Sequence, residues 1–231
     1  MKKLVFIFLC MTVLGISSCM KDGGNIQTYR LPGIVEMDFT YFQPKIATLS
    51  GDVLVPELAD HLNDIFFEGD AVLANFTIDY DNQPYPNAIV ATELSLKKID
   101  IGSPLPAIEG DNGSNESTIS IKYIEIDRIG NFLFFNFGHS APKDQTFDYE
   151  MTYNTDDIST IYIKAKIKKA GSESLSNILY LYAFNMSSYL RLLEPDSDKT
   201  VTFNIEVFDG VDEEGNNVYV NWSENPIRLS L

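Results

Sequence analysis

Thiols and imidazoles are scarce in this chain: 231 residues hold two cysteines, two histidines and one tryptophan. So few Cys and His leave little for zinc, which takes such ligands at short spacings. Patterns that would carry a known chemistry are missing too, with no HExxH, CxxC, GxSxG, GxGxxG or P-loop. Basic residues are also in short supply. Against 33 Asp and Glu stand 17 Lys and Arg, a formal charge of −16, which argues against nucleic acid, because that binding rests on cations that neutralise phosphates. Gly (14) and Pro (10) stay at ordinary levels and 45% of the chain is hydrophobic, which excludes a collagen-like or disordered protein. What is plentiful is aromatic: 15 Phe and 12 Tyr, enough for a core or two.

The N-terminus carries an address. Lys2 and Lys3 precede an apolar run from Leu4 to Ile16, shorter than the ~20 residues of a membrane-spanning helix and shaped like a secretion signal. The run closes on Ile16-Ser17-Ser18-Cys19, which resembles the lipobox of bacterial lipoproteins, where the cysteine receives lipid and becomes the mature N-terminus. This predicts a signal peptide over 1–18, lipidation at Cys19 and a tether over 19–32. The membrane is then a partner through the anchor, at the outer membrane, on its periplasmic or its cell-surface side. Cys10 leaves with the signal and Cys19 is acylated, so no disulfide forms and core burial must hold the ectodomain together. Several acyl chains on one residue anchor stably where one would bind only reversibly.

Strand patterns fill the rest and predict an all-β protein. Ile161, Ile163, Ala165 and Ile167 alternate with polar residues from Thr160 to Lys168, and Val201, Phe203, Ile205 and Val207 do the same, the period of a strand with one buried face. The second run and Val218, Val220 and Trp222 flank a turn-rich stretch, which suggests a hairpin. Phe132 to Phe137 and Ile178 to Phe184 are apolar on both parities, as inner strands of a two-layer sandwich would be. The first half holds five strand-like runs at 34–42, 45–49, 52–55, 70–81 and 87–99. After Pro56, Leu58, Leu62, Ile65 and Phe66 fall at helical spacing. Five strands with a helix after the third is the order of a small OB-like barrel. Gly102 to Ser117 is rich in Gly, Pro, Ser, Asn and acid and reads as a linker. The expected organisation is an OB-like barrel over 33–101, a linker over 102–117 and an immunoglobulin-like β-sandwich over 118–231, with a short helical turn at Tyr189 to Leu193.

Two stretches, Phe67-Glu68-Gly69-Asp70-Ala71-Val72-Leu73-Ala74-Asn75-Phe76 and Ile129-Gly130-Asn131-Phe132-Leu133-Phe134-Phe135-Asn136-Phe137, together with this order of domains, resemble the NigD-like family of lipoproteins. The resemblance implies an OB-type domain followed by a β-sandwich over the whole mature chain. It brings no reaction and no active-site residues.

The search for chemistry ends without a catalytic residue, a resident metal or a cofactor. His61 falls on the polar side of the expected helix with no second ligand near it. His139 is read as a loop residue beside Ser140, and sequence adjacency does not create the geometry of a hydrolytic triad. The turns Asp209 to Asn216 and Asp111 to Glu116 offer oxygens for calcium but no EF-hand spacing, and ordinary turns use the same residues. Tyr80, Tyr85, Tyr180 and Tyr182 are candidates for a sugar-stacking platform. The reading is a non-catalytic binding module with a protein or glycan partner. The alternatives are a surface glycan-binding accessory protein, a glycan hydrolase working through two carboxylates, and a subunit assembled by strand addition with the segment Met20 to Pro32 as donor.

Overall fold

The computed structural model describes residues 25–230 apart from 57, 59–64 and 108–117. The expected signal peptide, Cys19, most of the expected helix with His61, and the acidic stretch Asp111 to Glu116 lie outside the described residues. Among the described residues no helix is long and apolar enough to cross a membrane. The chain divides after Lys98 into two compact units, and it is all-β in both.

In the first unit, β1 (Ile26–Asp38), β2 (Gln43–Thr48), β3 (Gly51–Leu54), β4 (Ala71–Asp79) and β5 (Ile89–Lys98) close into a barrel of order β1-β2-β3-β5-β4. β1 runs antiparallel to both β2 and β4, and β3 closes the barrel parallel to β5. This is the OB-type order that the sequence predicts. Val35, Ile46, Val53, Val72, Ala74, Phe76 and Ile78 fill the interior. β1 serves two partners, and Gly33 faces Thr48 of β2 and Val72 of β4 at the crossover. A Cβ at Gly33 would sit 2.8 Å from the Ala47 carbonyl oxygen, so the strands approach closely there because the side chain is absent.

The tether expected over 19–32 is corrected in its second half. Ile26 to Pro32 form strand and pair with Asp79 to Leu73 of β4, because Tyr29 and Leu31 continue the parity of Val35 and pack on the barrel core. Phe39 to Phe42, expected to continue the first strand, form the β1–β2 turn instead, where the Asp38 carboxylate accepts the backbone N–H of Thr40 and Tyr41 at 2.8 and 2.9 Å. The Gly69-Asp70 turn that opens β4 is built likewise: Gly69 has φ 91°, Asp70 accepts the Phe67 N–H at 2.8 Å, and Lys98 pairs with Asp70 at 2.6 Å.

The second unit is a two-sheet sandwich. One sheet has the order β6 (Ile101–Gly102), β13 (Leu175–Asn185), β10 (Phe132–Pro142) and β9 (Tyr123–Ile129). The other runs β15 (Asn217–Asn221), β14 (Thr200–Val211), β12 (Thr160–Lys169), β11 (Thr146–Tyr153) and β7 (Leu105–Pro106), with β8 (Thr118–Ile119) on β12 and β16 (Ile227–Ser230) on β14. Phe135, Phe137 and Phe184 from the first sheet meet Phe147, Ile161, Ile163 and Phe203 from the second in a single core. Phe137 stacks on Tyr149 at 4.1 Å and Phe135 meets Phe184 edge-on at 5.6 Å, geometries that aromatic quadrupoles favour.

β10 is an inner strand, as its unbroken apolar run predicts, and Phe134 and Phe135 are both buried; β13 is covered on both sides only at Ala183 and Phe184, and Leu179, expected inside, is exposed because β6 is two residues long. Gly130, at φ 57°, makes the two-residue turn joining β9 to β10, the type that needs glycine in its first central position. Part of the stretch expected to be linker is strand. Gly102 pairs with Phe184, and Leu105 and Pro106 pair with Thr152 and Tyr153, two-residue edge pairings that tolerate the nearby prolines. The helical turn comes two residues earlier than expected, as α1 (Ser187–Leu190).

His139 is not in a loop. It lies inside β10, opposite Ile178 of β13, and is buried in the sandwich, where its ring stacks on Phe147 at 4.3 Å.

Candidate ligand-binding site

The barrel carries a cleft. Three connections border it: the β1–β2 turn with Tyr41, the β2–β3 turn with Ser50, and the β4–β5 loop from Tyr80 to Ala88. Together they enclose a cleft of about 740 Å³. Its floor is apolar, made by Leu31, Val53, Phe76 and Ile78, and its walls carry Tyr29, Tyr41, Tyr80 and Tyr85.

Each tyrosine is held by local structure. Tyr29 stacks on Phe76 with ring centroids 5.5 Å apart. Its hydroxyl donates to the Gln27 side-chain oxygen at 2.5 Å and lies 2.7 Å from the Tyr80 hydroxyl. With its own proton committed to Gln27, Tyr29 accepts from Tyr80. Burial and that neighbour push the Tyr80 hydroxyl up to about 12, so Tyr80 stays a protonated donor. On the opposite wall Tyr41 and Tyr85 pack at 4.6 Å, and the Gln43 side-chain amide donates to the Tyr85 hydroxyl at 3.0 Å. Gln83 pins the loop that bears Tyr85: its side chain accepts the Val90 N–H at 2.6 Å and donates to the Asp79 carbonyl at 2.6 Å, replacing ladder bonds where β4 and β5 diverge. Pro84 and Pro86 stiffen the same loop by fixing φ.

The charges of the cleft are of one sign. Asp38, Asp52 and Asp81 line it, and among the described residues no Lys, Arg or His does. Asp52 is answered from outside the lining by Lys45 at 2.6 Å, which also reaches Glu36 at 3.2 Å; the Asp52 hydrogen bond raises the Lys45 pKa. Asp38 binds its turn, and Asp81 accepts the Asn25 N–H at 2.8 Å. Such a cleft repels anions. Its chemistry suits a ligand with apolar faces for the rings and hydroxyls or other donors for the carboxylates and amides.

The structure divides the predicted tyrosine platform. Tyr80 and Tyr85 share the barrel cleft, whereas Tyr180 and Tyr182 belong to the sandwich, where Tyr182 is buried and donates to Asp148 at 3.3 Å. Sequence reading missed Tyr29 and Tyr41, the first because Gly23-Gly24 and Pro32-Gly33 bracket it like a tether. The turn at Asp209 to Asn216 uses its acid internally. Asp212 accepts the backbone N–H of Asn216 at 2.8 Å and of Glu214 at 3.0 Å, which holds its pKa below the usual carboxylate value. Among the described residues no three His, Cys, Asp or Glu side chains converge as a metal site.

No family model matches the sequence, and no curated protein matches it. Solved structures do match. An uncharacterised protein from Parabacteroides merdae superposes with a TM-score of 0.70 at 18% identity, over 87% of this chain and 98% of that one. A protein from Bacteroides fragilis described as a "Putative lipoprotein" gives 0.51 at 12% identity, over 87% and 95%. A NigD-like immunity protein from Bacteroides caccae gives 0.51 at 10% identity, over 87% and 94%. At these identities the likeness is one of fold: this chain shares its barrel-then-sandwich architecture with a NigD-like protein, as the resemblance in the sequence implies.

Proposed function

We propose that this is an outer-membrane lipoprotein, anchored through Cys19, that works without catalysis as a binding module whose barrel cleft takes an uncharged glycan. The observation that carries the reading is the four-tyrosine cleft whose described lining residues include acids and no cation. Sugar rings present apolar C–H faces that stack on tyrosine, and their hydroxyls donate to carboxylate and amide oxygens. The location agrees with the habit of OB folds, whose β1–β2 and β4–β5 loops flank the ligand. That agreement is one of fold.

The anchor is supported by the order of Lys2-Lys3, the apolar run and Ile16-Ser17-Ser18-Cys19. Labelled palmitate incorporated by the full chain, and lost in Cys19→Ala, tests it. Binding is tested by titrating the protein with neutral oligosaccharides and with their uronic-acid counterparts. Saturable binding of a neutral member and rejection of its acidic counterpart support the proposal; binding of neither contradicts it.

A second reading follows from the same acids, which suit a Lys- or Arg-bearing protein segment lying over the tyrosines. Salt separates the two. Binding of a cationic segment weakens as ionic strength rises, and binding of a neutral glycan does not.

A further inference from the structure

The place where the chain enters the barrel is fixed by Asn25. Its N–H donates to the Asp81 carboxylate at 2.8 Å, and its carbonyl accepts the Tyr80 N–H at 3.0 Å. The next residue, Ile26, pairs with Asp79 of β4. Tyr80 and Asp81 both line the cleft, and so does Tyr29, on the strand that Asn25 leads into. The N-terminal segment therefore joins the barrel at the wall of the cleft, held there by residues of the cleft itself.

That attachment sets a distance. Six peptide steps separate Asn25 from Cys19, and an extended chain advances at most about 3.6 Å per residue, so Asn25, with the Asp81 wall beside it, stands no more than about 22 Å from the Cys19 backbone. Resting on the anchor and the glycan-binding cleft proposed above, we infer that the ligand of the cleft is the uncharged oligosaccharide headgroup of a glycolipid in the membrane that holds Cys19. Confinement to one surface keeps headgroup and cleft together at an effective concentration of about millimolar, enough to fill a site of modest affinity. Asp38, Asp52 and Asp81 repel the phosphates of neighbouring lipids, so the part recognised is the sugar chain.

The test uses the full lipidated chain in phosphatidylcholine vesicles, with and without a diacyl lipid that carries the neutral oligosaccharide found to bind most tightly in solution. Equilibrium dialysis reads the binding of the same oligosaccharide in soluble, radiolabelled form. The glycolipid is expected to raise the half-saturating concentration of the soluble sugar at least about fivefold, because the cleft is already occupied from its own bilayer. A second variant carries a Pro-rich spacer of about 20 residues between Asp22 and Gly23, adding roughly 60 Å at ~3.1 Å per residue. It is expected to bind the soluble sugar as the wild type does on plain vesicles and to lose the competition. A half-saturating concentration that the glycolipid leaves unchanged, or equal competition with and without the spacer, overturns the inference while the glycan-binding reading stands. Failure of the chain to sediment with plain vesicles overturns the anchor, failure to bind any soluble oligosaccharide on them overturns the cleft reading, and either overturns this inference as well.

Discussion

The Nε2 atom of His139 lies 2.7 Å from the Tyr149 hydroxyl inside the sandwich, while its Nδ1 lies 3.3 Å from the Ser120 carbonyl. A carbonyl accepts only, so Nδ1 carries the proton and Nε2 accepts from tyrosine. Burial lowers the imidazole pKa, with the Ser120 carbonyl opposing, and so favours this neutral form. Burial also raises the Tyr149 hydroxyl, keeping the donor protonated.

The pair makes stability depend on pH. The unfolded histidine titrates near ~6.5 and the folded one lower, so as pH falls the unfolded chain takes up the proton first. Stability from this site is full above ~6.5 and is lost as pH drops toward and through the folded value. Urea unfolding at pH 7.5 and 5.5 is expected to show a larger loss for the wild type than for His139→Gln. Equal losses contradict the assignment. Tyr149→Phe is expected to cost about 1–3 kcal/mol by leaving Nε2 buried without a donor.

Gly33 marks a close approach between strands of the barrel. Adding a methyl group there drives it against the β2 backbone at the Ala47 carbonyl, and backbone does not move aside as a flexible side chain does. Gly33→Ala is expected to destabilise the protein by about 2 kcal/mol, read as a lower urea midpoint. An unchanged midpoint means the two strands are less closely packed than described.

Phe42 closes the β1–β2 turn at φ 52° with 80% of its surface exposed. A left-handed conformation costs a residue with a Cβ roughly 1–2 kcal/mol, and little burial offsets that here. Phe42→Asn is expected to raise stability by about 0.5–1 kcal/mol, since asparagine adopts this conformation more readily. A fall in the midpoint reveals a packing role for the ring.

The strands were readable in the sequence because alternation reports directly on a buried face. Ile161, Ile163 and Ala165 are all buried, and the hairpin from β14 to β15 forms as expected, with a bulge between Phe208 and Gly210. Segments whose residues carry two messages were harder to read. Tyr29 and Leu31 have the right parity for the barrel, but Pro32 and Gly33 beside them look like chain breakers; the proline is tolerated in strand opposite Leu73, and the glycine makes room for β2. His139 looked like loop because Gly138 precedes it and Pro142 follows. Gly138 is there for packing, as a Cβ would lie 2.8 Å from the Tyr123 Cβ on β9. The cleft was legible only by half, since a site assembled from a first strand, two turns and a distant loop leaves no spacing in the sequence.

Binding at the barrel cleft is tested most directly by calorimetric titration of the wild type and of Tyr85→Ala with a neutral oligosaccharide, at low and at high salt. The expected result is saturable binding of the wild type that is insensitive to salt and weakened about tenfold or more in Tyr85→Ala, ~1.4 kcal/mol of lost affinity. Absence of binding by the wild type, or equal affinity in Tyr85→Ala, contradicts the account.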